Sequence, residues 1–278
     1  MTAMHKSSDN TGLEIRLLLE AIFLKYGYDF RDYAGTHIKR RLERRVSLDD
    51  LSSISEMQHR IIHDEAYFNQ VLLDLSINVT QMFRDPWFYA VVREKLTPIL
   101  KTYPFIKLWH AGCSAGQEVY SMCIILEEEG MKDRCQIYAT DFNDMILEKA
   151  SSGIYPIDVM KDYTVNYQKS GGKRSFSDYY MASYDNAVMR PSLRERVLFS
   201  SHNLAMDGVF GEMNMIICRN VLIYFNRQLQ NRVLQLFYDS LCPGGFLCLG
   251  SKENIRFTAL ADAFEPVAER EKVYRKKR

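Results

Sequence analysis

Five residues, Gly112-Cys113-Ser114-Ala115-Gly116, lie inside the stretch LWHAGCSAGQEVYSM and admit two chemistries. Read as G-x-S-x-G, they match the elbow that lifts a nucleophilic serine above an α/β-hydrolase sheet. Read as a glycine-containing turn between strand and helix, they match a loop that cradles a nucleotide, because glycine has no Cβ to keep backbone and ligand apart. A hydrolase also needs an acid and then a histidine downstream. The histidines are His5, His37, His59, His63, His110 and His202, so only His202 follows Ser114. No HGGG-type segment precedes the loop to supply an oxyanion hole. The cradle reading finds an acid where it needs one. Asp141 ends the run QIYATD, near the ~20-residue distance at which a dinucleotide fold places its ribose ligand. A carboxylate only accepts hydrogen bonds, so it can take both ribose hydroxyls. The loop lacks the full G-x-G-x-x-G spacing and is no Walker sequence, so a pyrophosphate is not required. A purely structural turn is the competing reading.

The elements around the loop must position it. After Pro104 strands and helices alternate: IKLWHA, the loop, EVYSMCIILEEEG, CQIYATD and NDMILEKASSGIY. Later come MNMIICRN, RQLQNRVLQLFYDSL and, after Pro243-Gly244-Gly245, FLCLG. This alternation predicts an α/β fold with a mostly parallel sheet. The closing FEPVAEREKVYRKKR can add a final pair of strands. Residues 171–199 interrupt the pattern with β-formers and turn residues, which predicts a small antiparallel subdomain inserted over 165–199. Upstream everything reads as helix. GLEIRLLLEAIFLKYG stops at Gly27, THIKRRLERRV sets Ile38, Leu42 and Val46 in one stripe, and SEMQHRIIHDEAYFNQVLLDLS is amphipathic. Asp85-Pro86 supplies a cap and first-turn proline for PWFYAVVREKL. The expected division is an all-α domain over 1–85, a linker helix over 86–103 and an α/β domain over 104–278.

Bulk properties exclude several classes. A net charge of +1 disfavours nucleic acid and anionic membrane as general partners. Cys113, Cys123, Cys135, Cys218, Cys242 and Cys248 form no C-x-x-C pair, so a metal site is not expected. No apolar run reaches the ~18 residues of a spanning helix, and MTAMHKSSDNTG is no signal peptide, so a soluble cytoplasmic protein is expected.

INVTQMFRDPWF, AGCSAGQEVYS, ATDFN, GIY, SSHNL, IICRNVLIYF and PGGFLCLGSKE occur in this order. Together they resemble the CheR family of chemotaxis receptor methyltransferases, over nearly the whole chain. The resemblance implies an all-α domain followed by an S-adenosylmethionine-dependent methyltransferase domain, Rossmann-like, with an inserted antiparallel β-subdomain. It implies methyl transfer from S-adenosylmethionine to receptor glutamates, leaving S-adenosylhomocysteine, with no metal. A glutamate of pKa near 4.3 is already ionised at neutral pH. Catalysis can then come chiefly from alignment, worth up to ~7–11 kcal/mol. The same resemblance places Asn78 and Thr80 at the pocket mouth and Arg84 opposite the methionine carboxylate or the incoming glutamate. It gives Asp141 the ribose, Asn203 and Leu204 the adenine, and Gly112, Arg219 and Asn220 the pocket lining. Tyr224 is expected near the transferring methyl, so Arg84 and Tyr224 are the catalytic candidates.

One departure bears on affinity. The family loop is G-E-E-P-Y, whereas this chain has Gly116-Gln117-Glu118-Val119-Tyr120, with Ala115 in place of a threonine. Gln117 accepts a hydrogen bond from the cofactor's ammonium group without a charge. If Glu118 does not substitute, binding weakens by about 1–2 kcal/mol. The departure keeps open a regulatory protein with weak or lost catalysis, or a methyltransferase acting on another protein. On HIKRRLERR, the i, i+4 pairs Arg40/Arg44 and Arg41/Arg45 form a basic face. In the family such a helix recognises the acidic cytoplasmic helices of a methyl-accepting receptor, so the membrane is met only through that receptor. The inserted sheet can, in some members, also dock a receptor's C-terminal peptide by strand addition.

Overall fold

The structure, a computed structural model, describes residues 10–76, 80–256 and 258–277. It separates into two compact units, one of residues 1–77 with 224–229, the other of 78–223 with 230–278.

The first unit holds α1 (Thr11–Tyr26), α2 (Gly35–Leu48), α3 (Ile54–His63) and α4 (Glu65–Leu75). Gly27 ends α1 at φ 77°, with its N–H donating to Phe23 O. The amphipathic run after Ser55 is two helices rather than one. Asp64, in extended conformation, donates its N–H to Arg60 O to close α3, and its carboxylate accepts from Tyr67 N to open α4. A capping carboxylate with β-region backbone ends one helix and starts the next without disturbing the apolar spacing. Leu18, Ile22, Ile38, Leu42, Met57, Ile61 and Phe68 fill this unit's core.

The second unit opens with α5 (Pro86–Val91), a π-helical turn over Val92–Leu96, and α6 (Thr97–Leu100). Pro98 explains the widening, since it has no N–H and its ring clashes with the carbonyl four residues back. Asp85 precedes Pro86 but makes no side-chain cap, contrary to expectation. The main alternation follows: β1 (Ile106–Ala111), α7 (Gln117–Glu128), β2 (Cys135–Asp141) and α8 (Asp144–Ser152). After these come β3 (Ile154–Pro156), α9 (Met160–Lys169), β4 (Tyr180–Ser183), β5 (Asn186–Met189), α10 (Pro191–Arg194), β6 (Val197–Ser201) and β7 (Met213–Cys218). The chain ends with α11 (Arg227–Ser240), β8 (Leu241–Leu249), β9 (Phe264–Ala268) and β10 (Val273–Lys276).

The large sheet has the order β6-β2-β1-β7-β8-β10-β9. Its first five strands are parallel, and β10 and β9 close it antiparallel, as the C-terminal pattern implied. Five of six β1 residues are buried, which fits a parallel strand covered on both faces. The second, antiparallel sheet has the order β3-β5-β4. It reaches back to Ile154, while Val197–Ser201, expected inside the insertion, is the edge strand of the large sheet on β2. A run such as VLFSS shows β preference but not which sheet receives it. All six cysteines are buried. Among the described residues no helix is long and apolar enough to cross a membrane.

Candidate active site

Parallel pairing of β1 with β2 carries Ala111 and Thr140 to one end of the sheet, where the glycine loop begins. Gly112 N and Cys113 N both donate to Thr140 O, at 2.9 and 2.8 Å. Ser114 N donates to Asp141 Oδ2 at 2.9 Å, and Asn143 N to Oδ1 at 3.2 Å. The loop's first amides therefore turn onto the end of β2, so this is no phosphate nest. Gly112 has φ 77°, and a Cβ there would stand 2.7 Å from Val221 Cγ2, so the turn requires glycine.

Asp141 is 7% exposed. Burial pushes its pKa up, against the opposing pull of the N–H groups of Ser114, Asn143 and Phe142. Two oxygens carry about four acceptor positions, so about one beyond these three donors is left for a hydroxyl. Gln117 starts α7 almost fully buried, and its Oε1 has no hydrogen-bond partner among the described residues. An unmet buried acceptor costs about 1–3 kcal/mol, which marks a place for a donor.

Among the described residues the hydrolase arrangement is absent. His202 has Nε2 3.2 Å from Gly208 O, its ring is edge-on to Trp109 and Phe210, and its Nδ1 has no partner among the described residues. It makes no bond to Ser114.

Arg219 follows β7 with a buried side chain and is engaged by the protein itself. Nη2 lies 2.7 Å from Asp85 Oδ2, and Nη1 lies 2.9 Å from Glu118 Oε2 and 3.3 Å from Arg84 O. The guanidinium carbon lies 4.2 Å from the Phe88 ring centroid. Burial alone would raise the Glu118 pKa, but the His110 hydrogen bond (3.4 Å) and the Arg219 charge bring it below the ordinary value. Glu118 is thus committed to these partners and does not replace the charge missing at Gln117. Arg219, which the resemblance places along the pocket, ties the turn before α5 to the head of α7, and its Nε has no partner among the described residues.

Glu253 is a residue that sequence reading passed over. Its buried carboxylate accepts from Gly250 N (2.6 Å), Asn220 N (3.0 Å) and Ile223 N (3.2 Å). It gathers the turn after β7, in which Asn220 has φ 61°. Burial raises its pKa against the pull of those amides. The usable signal was a carboxylate three residues after Gly250, at the end of a core strand.

With this geometry in view, family membership can be settled. Residues 78–273 match the family model described as CheR methyltransferase, SAM binding domain, and residues 13–76 that described as CheR methyltransferase, all-alpha domain. The chain belongs to the CheR methyltransferase family. It is 51% identical to the "Putative methyltransferase Cher3" of Pseudomonas putida, over 97% of this chain and 99% of that one. It is 32% identical to chemotaxis protein methyltransferase 1 of Vibrio cholerae, over 83% and 84% of the two chains. Among solved structures, N-methyltransferase NodS of Bradyrhizobium japonicum, in complex with S-adenosylhomocysteine, is 13% identical over 71% of this chain and 89% of that one, with a TM-score of 0.40.

S-adenosylmethionine is therefore the family's cofactor, and the residues present fit it. Gln117 offers an unmet acceptor that suits the ammonium group, and Asp141 has about one acceptor position left for a ribose hydroxyl. Asn203 and Leu204 follow β6 after His202. The Asn203 side-chain oxygen accepts from Ala205 N at 3.0 Å, so its NH2 is what an adenine edge can use. Leu204 adds a buried apolar face. Thr80 is half-buried at the start of the described part of this unit, and Asn78 lies outside the described residues.

The basic face of the first unit is narrower than its spacing implied. Arg45 forms a two-pronged pair with Asp49 (2.7 and 2.6 Å) and reaches Asp74 at 3.0 Å. Arg41 donates to Asp74 O and Leu75 O, at the end of α4. Arg40 and Arg44 are exposed. Tyr224 clusters with this unit: its O accepts from Ala34 N (2.8 Å), and its ring faces His37 and Arg41. A repeat of four predicts one face, but it cannot show that half of the face packs on α4.

Proposed function

We propose that this protein transfers a methyl group from S-adenosylmethionine to glutamate side chains on the cytoplasmic helices of a chemotaxis-type receptor, and that it works in the cytoplasm. The observation that carries the reading is the buried Gln117 Oε1, unpartnered among the described residues, on the same unit as the ring of donors around Asp141. The cofactor supplies an electrophilic methyl group on a sulfonium. Asp141 holds the ribose, Gln117 the ammonium group, Arg84 the methionyl carboxylate, and Asn203 with Leu204 the adenine. Thr80 and Asn220 complete the lining, and the Tyr224 hydroxyl assists transfer. Arg40 and Arg44 meet acidic receptor helices, a contact that sets encounter rate more than affinity. The β3-β5-β4 sheet is a second candidate contact, for a receptor peptide.

Calorimetric titration of S-adenosylhomocysteine, followed by transfer of labelled methyl to receptor fragments, tests this. Micromolar binding with base-labile methyl esters on glutamate is the expected result; labelling confined to other proteins would overturn the receptor assignment. The neutral Gln117 favours one other reading, a cofactor-binding regulator. That protein would bind S-adenosylhomocysteine weakly or not at all and methylate nothing.

A further inference from the structure

The backbone on both sides of Arg84 is in an unusual state. Phe83 (φ 54°) and Asp85 (φ 56°) are both left-handed, a region non-glycine residues avoid, so something must hold them there. Phe83 is held by burial and by its N–H donating to Ser121 Oγ at 2.9 Å. Ser121 Oγ in turn donates to Gln117 O, at the head of α7. Arg84 O and Asp85 are held by Arg219, which grips Glu118 in the first turn of that same helix. Two anchors therefore fix the Arg84 backbone to the helix that carries Gln117.

We infer that Arg219 is a positioning residue: its fork sets Arg84 at the correct distance from the head of α7. Only a planar fork can reach Asp85, Glu118 and the Arg84 carbonyl together. A lysine ammonium, charged but a single point, cannot span them. The Asp85 carboxylate, which sequence reading makes a helix cap, is the other half of this clamp. The inference rests on the reading in which Arg84 holds the cofactor's carboxylate.

A double-mutant cycle tests it. S-adenosylhomocysteine affinity is measured for the parent protein, Arg84→Ala, Arg219→Lys and the double variant, with unfolding midpoints alongside. Arg219→Lys is expected to weaken binding roughly tenfold when Arg84 is present and less than about twofold when it is absent. Asp85→Asn, a milder change in shape, is expected to show the same dependence on Arg84. Equal losses in both backgrounds would overturn the inference, because Arg219 would then act on the ligand directly. A lowered midpoint with unchanged affinity would overturn it too, leaving a merely structural role. If Arg84→Ala itself leaves affinity unchanged, the reading of Arg84 fails, and the positioning claim with it. That outcome is separable because it is read from Arg84→Ala alone, whereas direct action of Arg219 shows as equal Arg219→Lys losses while Arg84→Ala still weakens binding.

Discussion

Two regions of the second unit bury carboxylates and treat them oppositely. At the loop ends of the sheet, Asp141 and Glu253 are surrounded by backbone N–H groups, and burial keeps their pKa values raised. Along α7, the Glu118 and Glu128 side chains are also largely withdrawn from water, 17% and 0% exposed, yet their pKa values fall. Glu118 has His110 and Arg219; Glu128 has the Tyr167 hydroxyl, Arg93 and the Tyr179 hydroxyl. Amide dipoles stabilise a charge only in part, whereas a full opposite charge with hydrogen bonds outweighs desolvation. The paired carboxylates hold structure and have nothing left to offer. The amide-bound ones retain a demand for donors. At Asp141 a ribose hydroxyl can meet that demand, and at Glu253 a tight turn already does.

The largest effect that would break this contrast is on stability. Arg219→Met leaves Glu118 and Asp85 without their cation and is expected to cost about 3–5 kcal/mol. Thermal unfolding measures it, and an unchanged midpoint would show that the pair is worth nothing.

Next in size is Asp141→Ala, expected to weaken S-adenosylhomocysteine binding on the order of 100-fold through a lost charge-assisted bond. Glu128→Gln serves as the counterpart, lowering the unfolding midpoint and leaving affinity intact. Calorimetry on both variants separates the roles; loss of affinity in Glu128→Gln would merge them.

Acidification sharpens the same contrast. The raised Asp141 pKa means that affinity begins to fall above the ordinary aspartate value of 3.8, approaching tenfold per pH unit below its own pKa. Its charged form is disfavoured in the fold, so its protonation does not destabilise the protein. Glu118 runs the other way. Its stabilisation is complete above its ordinary 4.5 and is lost only as pH falls through the lower folded value. On this account affinity fails before the fold does. Titrations and melts across pH 3.5–7 read both, and a common midpoint would contradict the assignment.

Smaller still is Gln117→Glu, which supplies a negative charge beside the ammonium group and is expected to tighten binding about tenfold. On the first unit the effects are slightest. Arg45→Ala is expected to lower stability by ~1 kcal/mol through its Asp49 pair. Arg40→Ala leaves stability unchanged and reduces the salt dependence of receptor methylation. Equal behaviour of the two arginines would mean that α2 presents a single face after all.

Element order was open to reading because helices and strands carry their own periods, and stops such as Gly27 are local. The place of Asp141 at the end of β2 was equally legible, since it depends only on where the strand stops after the glycine loop. The break at Asp64, the sheet that receives Val197–Ser201, and the engagement of Arg41 and Arg45 were not. Each depends on what lies opposite in space, about which spacing along the chain carries no information.

Arg219 and Glu253 show the division most plainly. The sequence by itself determined that an arginine follows one core strand and a glutamate another. Only the tertiary structure decided that the arginine grips Asp85 and Glu118, 134 and 101 residues away, while the glutamate closes the turn beside it. A long charged side chain can reach many partners. Which of them it meets is set by packing, because desolvation makes the unpaired alternatives too costly.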